Sequence, residues 1–192
     1  MKGAKPMNET VKTILTRQSC RSYNGRPVEQ EKIEILLECA KFAPSAINKQ
    51  PWHFTVVKSR KLLDEIKEAN RQVMLDSGDE RTVEAANDPS FDNFRGAPMA
   101  IIVSGENGNP FSEGDCSAAV ENMALAAHSM GIASLYIASF KRALALEKYS
   151  YIVDKLELPE NFTPHFALCL GYTDAEYPER APRREGTVNY ID

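Results

Sequence analysis

Residues 115–131 constrain the fold more than any other stretch. Ala118, Ala119, Val120, Met123, Ala124, Leu125, Ala126, Ala127 and Met130 cover nearly the whole circumference of a helix. Ser112 and Asp115 offer N-terminal caps and Gly131 a left-handed stop, so the sequence bounds this helix at both ends. A helix apolar on all sides must be surrounded, and Asp115, Glu121, Asn122 and His128 within it argue for protein there rather than lipid. Two apolar runs, residues 99–103 and 166–170, are too short for helices and read as strands buried on both faces.

Around this centre the punctuation is regular. Residues 9–17 are modestly helical, and Asn24-Gly25 and Pro27 mark a loop. Ile33, Leu36, Leu37, Ala40 and Phe42 recur at helical spacing within residues 29–43, and Pro44 ends that helix. Residues 54–57 read as a strand, 61–75 as a helix, 134–140 as a strand or extended turn, and 144–156 as a helix. Residues 77–95 are polar and broken by Gly78 and Pro89, the pattern of an excursion or a partly helical lid. The tail holds Pro178, Pro182 and an arginine cluster before Val188-Asn189-Tyr190-Ile191, a possible strand with no partner nearby in sequence.

With 192 residues the chain suits one domain spanning 1–192. Hydrophobic residues make up 43% and charged residues 26%, the balance of a soluble globular protein. The net charge of −4 and the lack of a basic run make nucleic acid an unexpected partner. No window approaches a membrane span, and residues 1–14 carry no apolar core of a secretory leader, so a cytoplasmic location is expected. Cys20, Cys39, Cys116 and Cys169 form no ligand spacing, which points to reduced thiols and no metal site. His53, His128 and His165 sit in no catalytic signature, so the chemistry is expected to come from a cofactor.

Three clusters could bind one. Arg17-Gln18-Ser19-Cys20-Arg21 places two guanidinium forks and a hydroxyl within five residues, a set suited to a phosphate, although alone it reads more simply as a solvated turn and decides nothing. Residues 43–52, Ala-Pro-Ser-Ala-Ile-Asn-Lys-Gln-Pro-Trp, form a proline-stiffened linker whose Ser45, Asn48 and Gln50 could address a heterocycle or simply connect two elements. Arg180-Ala181-Pro182-Arg183-Arg184 is by itself a charged tail, but brought beside Arg17 and Arg21 it would build a cationic phosphate pocket without a P-loop.

In that order, together with Gly96-Ala97-Pro98 before a strand and Leu170-Gly171-Tyr172 before the tail, these segments resemble the FMN-dependent nitroreductase family along almost the whole chain. The stretch Pro44-Ser45-x-x-Asn48-x-Gln50-Pro51-Trp52 carries the resemblance most specifically. It implies an α+β fold: a central mixed, mainly antiparallel sheet flanked by helices, in a homodimer with an exchanged C-terminal tail. Two FMN molecules would lie at the dimer interface. Arg17, Ser19 and Arg21 would hold the phosphate and ribityl chain, Gln18 would contribute its backbone, and Arg183 or Arg184 would complete the pocket.

The resemblance also implies that Pro44, Ser45, Ala46 and Asn48 of the partner chain cover the flavin, and that Asn70 bonds its pyrimidine edge. Tyr136, Ile137, Ala138 and Ser139 would pass the other side of the ring, with the amides of Ala138 and Ser139 facing N5 and O4. Some relatives place a lysine a turn beyond the position of Asn70. Here Val73 and Met74 stand in that turn, leaving Arg21 to supply most of the charge. The implied reaction is ping-pong hydride transfer from NADH or NADPH, through flavin N5, to a small-molecule electron acceptor such as a nitroaromatic or quinone. A dehalogenase-like flavoenzyme and a flavin-binding or storage module with little turnover are the alternatives on the same fold.

Overall fold

The computed structural model describes residues 8–191; the reading of the N-terminus as leaderless falls partly outside them, on residues 1–7. In chain order the elements are α1 (Glu9–Thr16), α2 (Gln30–Lys41), β1 (Trp52–Val57), α3 (Arg60–Leu75), α4 (Glu80–Asn87), β2 (Met99–Glu106), α5 (Ser112–Ser129), β3 (Ala133–Ile137), α6 (Lys141–Leu144), α7 (Ser150–Asp154) and β4 (Phe162–Gly171). The strands form one sheet in the order β1-β2-β4-β3, every neighbouring pair antiparallel. Among the described residues the parallel component is a single bridge between Ser19 and Ser134 on the outer side of β3.

Helices cover both faces, which is why the two central strands read as unbroken apolar runs rather than alternating ones. Met99, Ile101 and Val103 of β2 and Phe166, Leu168 and Leu170 of β4 point to one face and pack with α2 and α5. Ala100 and Ile102 of β2 and Ala167 and Cys169 of β4 point to the other and pack with α3, α6 and α7. Small residues on that second face let α3 approach closely, with Leu63 and Ile66 fully buried.

α5 buries Cys116, Ala119, Val120, Met123, Ala124 and Ala127 along one stripe, while Ala118, Leu125 and Ala126 stay half-buried. One chain therefore encloses only part of the expected circumference. Gly131, at φ 71°, ends the helix as expected: its amide donates to His128 O, and Ile132 N donates to Ala127 O at 2.8 Å. The N-terminus differs from expectation. The cap position is Phe111, without a side-chain hydrogen bond, and the Asp115 carboxylate is turned to another partner.

Other differences have local causes. β4 begins at Phe162, four residues earlier than its apolar run suggests, because the register skips at Val103/Ser104 and the resulting irregularity accommodates Pro164 within a central strand. The expected helix over 144–156 is broken at Leu146, which turns extended at φ −90° and ψ 132°. The chain then restarts to bury Ile152 and Leu156. Residues 188–191 form no strand and lie exposed. Among the described residues no helix is long and apolar enough to cross a membrane. All four cysteines are free thiols.

Candidate functional site

The Arg17–Arg21 cluster is fixed from three directions. Cys20 N donates to Ser134 O at 2.8 Å, laying the segment along the edge of the sheet beside β3. Asn24 N donates to Tyr172 O at 2.9 Å and ties down the far side. From the C-terminal tail, Arg180 turns its guanidinium onto the end of α1, donating to the carbonyls of Leu15, Thr16 and, at 2.8 Å, Arg17. These carbonyls are otherwise orphaned where the helix stops, so one side chain both caps α1 and straps the tail across it.

That strap brings distant arginines together. Arg17, Arg21, Arg180 and Arg183 line one recess with Gln18 and Ser19. Glu121 lies 3.7 Å from Arg17 and Glu179 is on the rim, so cations outnumber acids. The effect reaches His128, whose imidazole is held below its ordinary pKa first by burial and then by Arg17 and Arg180. Arg17 Nε and Gln18 Oε1 are buried there without a hydrogen-bond partner. Such groups are costly to leave unmade, which marks a recess suited to a ligand with both charge and donor groups.

Arg21 also lines a neighbouring cavity of about 450 Å³, which in turn shares walls with one of about 850 Å³. The first joins Arg21 to Asn70, Tyr136, Ile137 and Ser139. The second shares Asn70 and Ser139 with it and adds Ala138. Their sizes lie within the range of about 300–1,000 Å³ usual for small-molecule pockets. Asn70 is 3% exposed, and its carboxamide nitrogen has only the thioether of Met74 at 3.6 Å for a partner. A cationic end and a half-apolar channel with a buried carboxamide thus form one trough.

Ten of the fifteen residues expected at the site line this trough: Arg17, Gln18, Ser19, Arg21, Asn70, Tyr136, Ile137, Ala138, Ser139 and Arg183. Arg184 is not among its lining residues, although Arg183 is. Pro44, Ser45, Ala46 and Asn48 are not brought to it within one chain. Their turn is held at the start of α5, where Ala46 N donates to the Asp115 carboxylate at 3.1 Å. It faces a separate cavity with Asn107, Asn109 and Phe111.

Among the further residues that line the trough, Arg180 and Asn93 stand out. Arg180 stood in the recognised cluster, but only the folded tail shows that it serves the carbonyls of α1 while Arg183 faces the recess. Asn93 lies in the polar stretch 77–95, where neither periodicity nor motif singles it out, yet it lines the same cavity as Arg21 and Asn70.

Comparison with known proteins places this arrangement. The sequence model of the nitroreductase family matches residues 14–172. A protein of Archaeoglobus fulgidus with the provisional name NADH dehydrogenase/NAD(P)H nitroreductase is 34% identical, the match covering 88% of each chain. An FMN reductase (NADPH) of Bacillus subtilis is 26% identical over 95% of this chain and 76% of its own. The crystal structure of a nitroreductase with bound FMN from Bacteroides fragilis superposes with a TM-score of 0.89 at 29% identity, covering 96% of this chain and 100% of that one.

Proposed function

The chain belongs to the nitroreductase family, and from that premise we propose that it is a cytoplasmic, homodimeric, FMN-dependent oxidoreductase that uses NADH or NADPH to reduce a small electron-poor acceptor. The observation that carries this reading is the trough itself. A cationic recess, where Arg17 Nε and Gln18 Oε1 are buried without a hydrogen bond, shares Arg21 with a cavity that holds a buried carboxamide. The residues present fit a molecule with a phosphate at one end and a flat heterocycle at the other.

Arg17, Arg21 and Arg183 supply guanidinium donors to a phosphate, and Ser19 adds a hydroxyl. Gln18 lines the passage beside them. Asn70 would offer its carboxamide to a heterocycle edge, and Ala138 and Ser139, just past the end of β3, line the same cavity. Bound FMN would supply reversible acceptance of two electrons, chemistry that no side chain of the trough performs. Arg21, which lines both cavities, would supply positive charge to a reduced, anionic ring, residues 73 and 74 being Val and Met.

A homodimer suits what a single chain leaves uncovered. Ile14, Leu15 and Ile47 are 50%, 56% and 87% exposed, and Tyr190 and Ile191 at the tail are more exposed still. Pro44, Ser45, Ala46 and Asn48 would roof the trough of the partner chain, and residues 188–191 would cross to it.

The test is to titrate apoprotein with FMN and then mix the loaded protein anaerobically with NADH or NADPH, followed by a quinone or nitroaromatic. Uptake of FMN, loss of its visible absorption on mixing, and its return with the acceptor are expected. Failure to take up FMN overturns the proposal. Uptake without bleaching by either nucleotide favours a storage module instead.

A further inference from the structure

Asn93 has an unusual position for a residue in an irregular segment. It is 8% exposed, yet neither its carboxamide oxygen nor its nitrogen has a hydrogen-bond partner. The segment around it is firmly held. The Asp92 carboxylate accepts from Phe94 N at 2.9 Å and Gly96 N at 2.8 Å, and also pairs with Arg60. Phe94 is fully buried and stacks on Phe140 with ring centroids 6.3 Å apart. With both neighbours anchored, Asn93 cannot easily turn outward to water.

Asn93 is one of the residues around the cavity that also takes in Arg21, Asn70, Tyr136 and Ile137. Asn70 is the other buried asparagine of that cavity and is almost as poorly satisfied. Native proteins rarely keep a buried carboxamide with both ends unmade, unless something occupies the space beside it. Two carboxamides at one cavity offer both donors and acceptors. That set matches the edge of a pyrimidine-type ring, whose carbonyl and N–H groups alternate.

Resting on the proposed flavin function, we infer that Asn93 is a cofactor-binding residue whose carboxamide hydrogen-bonds the pyrimidine edge of bound FMN alongside Asn70. It is contributed by the segment between α4 and β2, so this part of the excursion is a wall of the site rather than a passive connection.

The experiment titrates FMN into apoprotein and follows quenching of flavin fluorescence, with the thermal midpoint of the apoprotein as an independent readout. Asn93→Leu keeps the approximate shape and removes both hydrogen-bonding atoms. FMN affinity should weaken about 5- to 100-fold, as for the loss of one or two hydrogen bonds, while the apoprotein melts no lower than wild type. Asn93→Asp keeps the shape and the acceptor but adds negative charge. It should weaken FMN binding and shift the flavin reduction potential to more negative values, so it also serves if the leucine variant does not fold.

Wild-type affinity in a folded Asn93→Leu overturns the inference, as does an unchanged potential and affinity in Asn93→Asp. An apoprotein destabilised by Asn93→Leu with FMN affinity intact would assign the carboxamide a purely structural role. Failure of the wild-type chain to bind FMN would instead overturn the parent proposal. Wild-type binding that is lost in the Arg17→Ala, Arg21→Ala double variant, but kept in both Asn93 variants, would remove this inference alone.

Discussion

The trough and the turn at residues 44–50 are built in opposite ways, although both carry residues that the family resemblance assigns to one cofactor. The trough is recessed and polar groups within it lack partners: Arg17 Nε, Gln18 Oε1 and both ends of Asn93. The turn projects and satisfies itself. Gln50 N donates to Ser45 Oγ at 3.0 Å, Gln50 Nε2 to Asn48 Oδ1 at 3.2 Å, and Ala46 N to Asp115. Three of its non-glycine residues, Ile47, Asn48 and Gln50, hold φ of 46°, 56° and 50°, a conformation that is especially unfavourable for the β-branched Ile47. The result is an apolar side chain 87% exposed at the tip. On the proposed dimer, a hollow with unmade hydrogen bonds and a strained, self-contained projection would be complementary halves, each closed by the other chain.

The sharpest break of this comparison removes the charged end of the hollow. Replacing Arg17 and Arg21 together by alanine should weaken FMN binding about 10²- to 10⁴-fold, two charge-assisted bonds being worth about 1.5–3 kcal/mol each. Equilibrium dialysis measures this, and far-ultraviolet circular dichroism should show an unchanged fold. Retained affinity would mean that the hollow does not hold the phosphate.

A second experiment asks whether hollow and projection belong to different chains. Ile47→Asp should lower FMN occupancy by placing a charge against the roofed site. Unfolding and refolding this chain with the Arg17→Ala, Arg21→Ala chain should restore about a quarter of the sites, because half the dimers are mixed and each has one intact site. If mixing restores none, the two halves do not meet across an interface.

Gly105 sharpens the comparison from the side of the turn. A Cβ there would come within 2.2 Å of Ser112 Oγ and 2.7 Å of the His165 ring, next in sequence to the residues 106–111 that line the cavity beside the turn. Gly105→Ala should therefore destabilise the protein by about 1–3 kcal/mol, seen as a lower thermal midpoint. FMN affinity at the hollow should stay near wild type, since Gly105 does not line it.

The smallest effect concerns His128 behind the recess. Burial, and then Arg17 and Arg180, depress its pKa in the folded chain. The unfolded chain thus takes up the proton first. The stabilising contribution is fully present above the unfolded value, about 6.5, and is lost as pH falls through it toward the folded value. His128→Gln should flatten the fall in urea midpoint between pH 7.5 and 5.5; an unchanged slope would show that the recess exerts no such field.

The parts of the fold that were legible in sequence are those where local chemistry and tertiary packing agree. Gly131 stops α5 because only a residue free to adopt φ 71° closes the helix that way cheaply. The runs at 99–103 and 166–170 are strands because both faces are covered by helices. Legibility failed where distant contacts decided. Pro164 hid the beginning of β4, since its tolerance depends on a register skip opposite Val103 and Ser104. Asp115, a plausible cap by position, instead accepts from Ala46, sixty-nine residues away. Asn93 carried no local signal, because its significance lies in what is missing around it.

By itself the sequence determined the layers of this protein and the chemical types gathered for its site: guanidinium groups at both ends of the chain, a stiff turn of small and polar residues, and a helix too apolar to stand alone. Spacing and residue type are local properties, and these features are written locally. Only the tertiary structure decided that Arg180 straps the tail while Arg183 reaches the recess, that Arg184 does not line it, and that the turn faces away from its own chain's hollow. Those outcomes depend on which main-chain carbonyls a helix end leaves exposed and on where the tail crosses them, and such relations exist only once segments far apart in sequence have packed together.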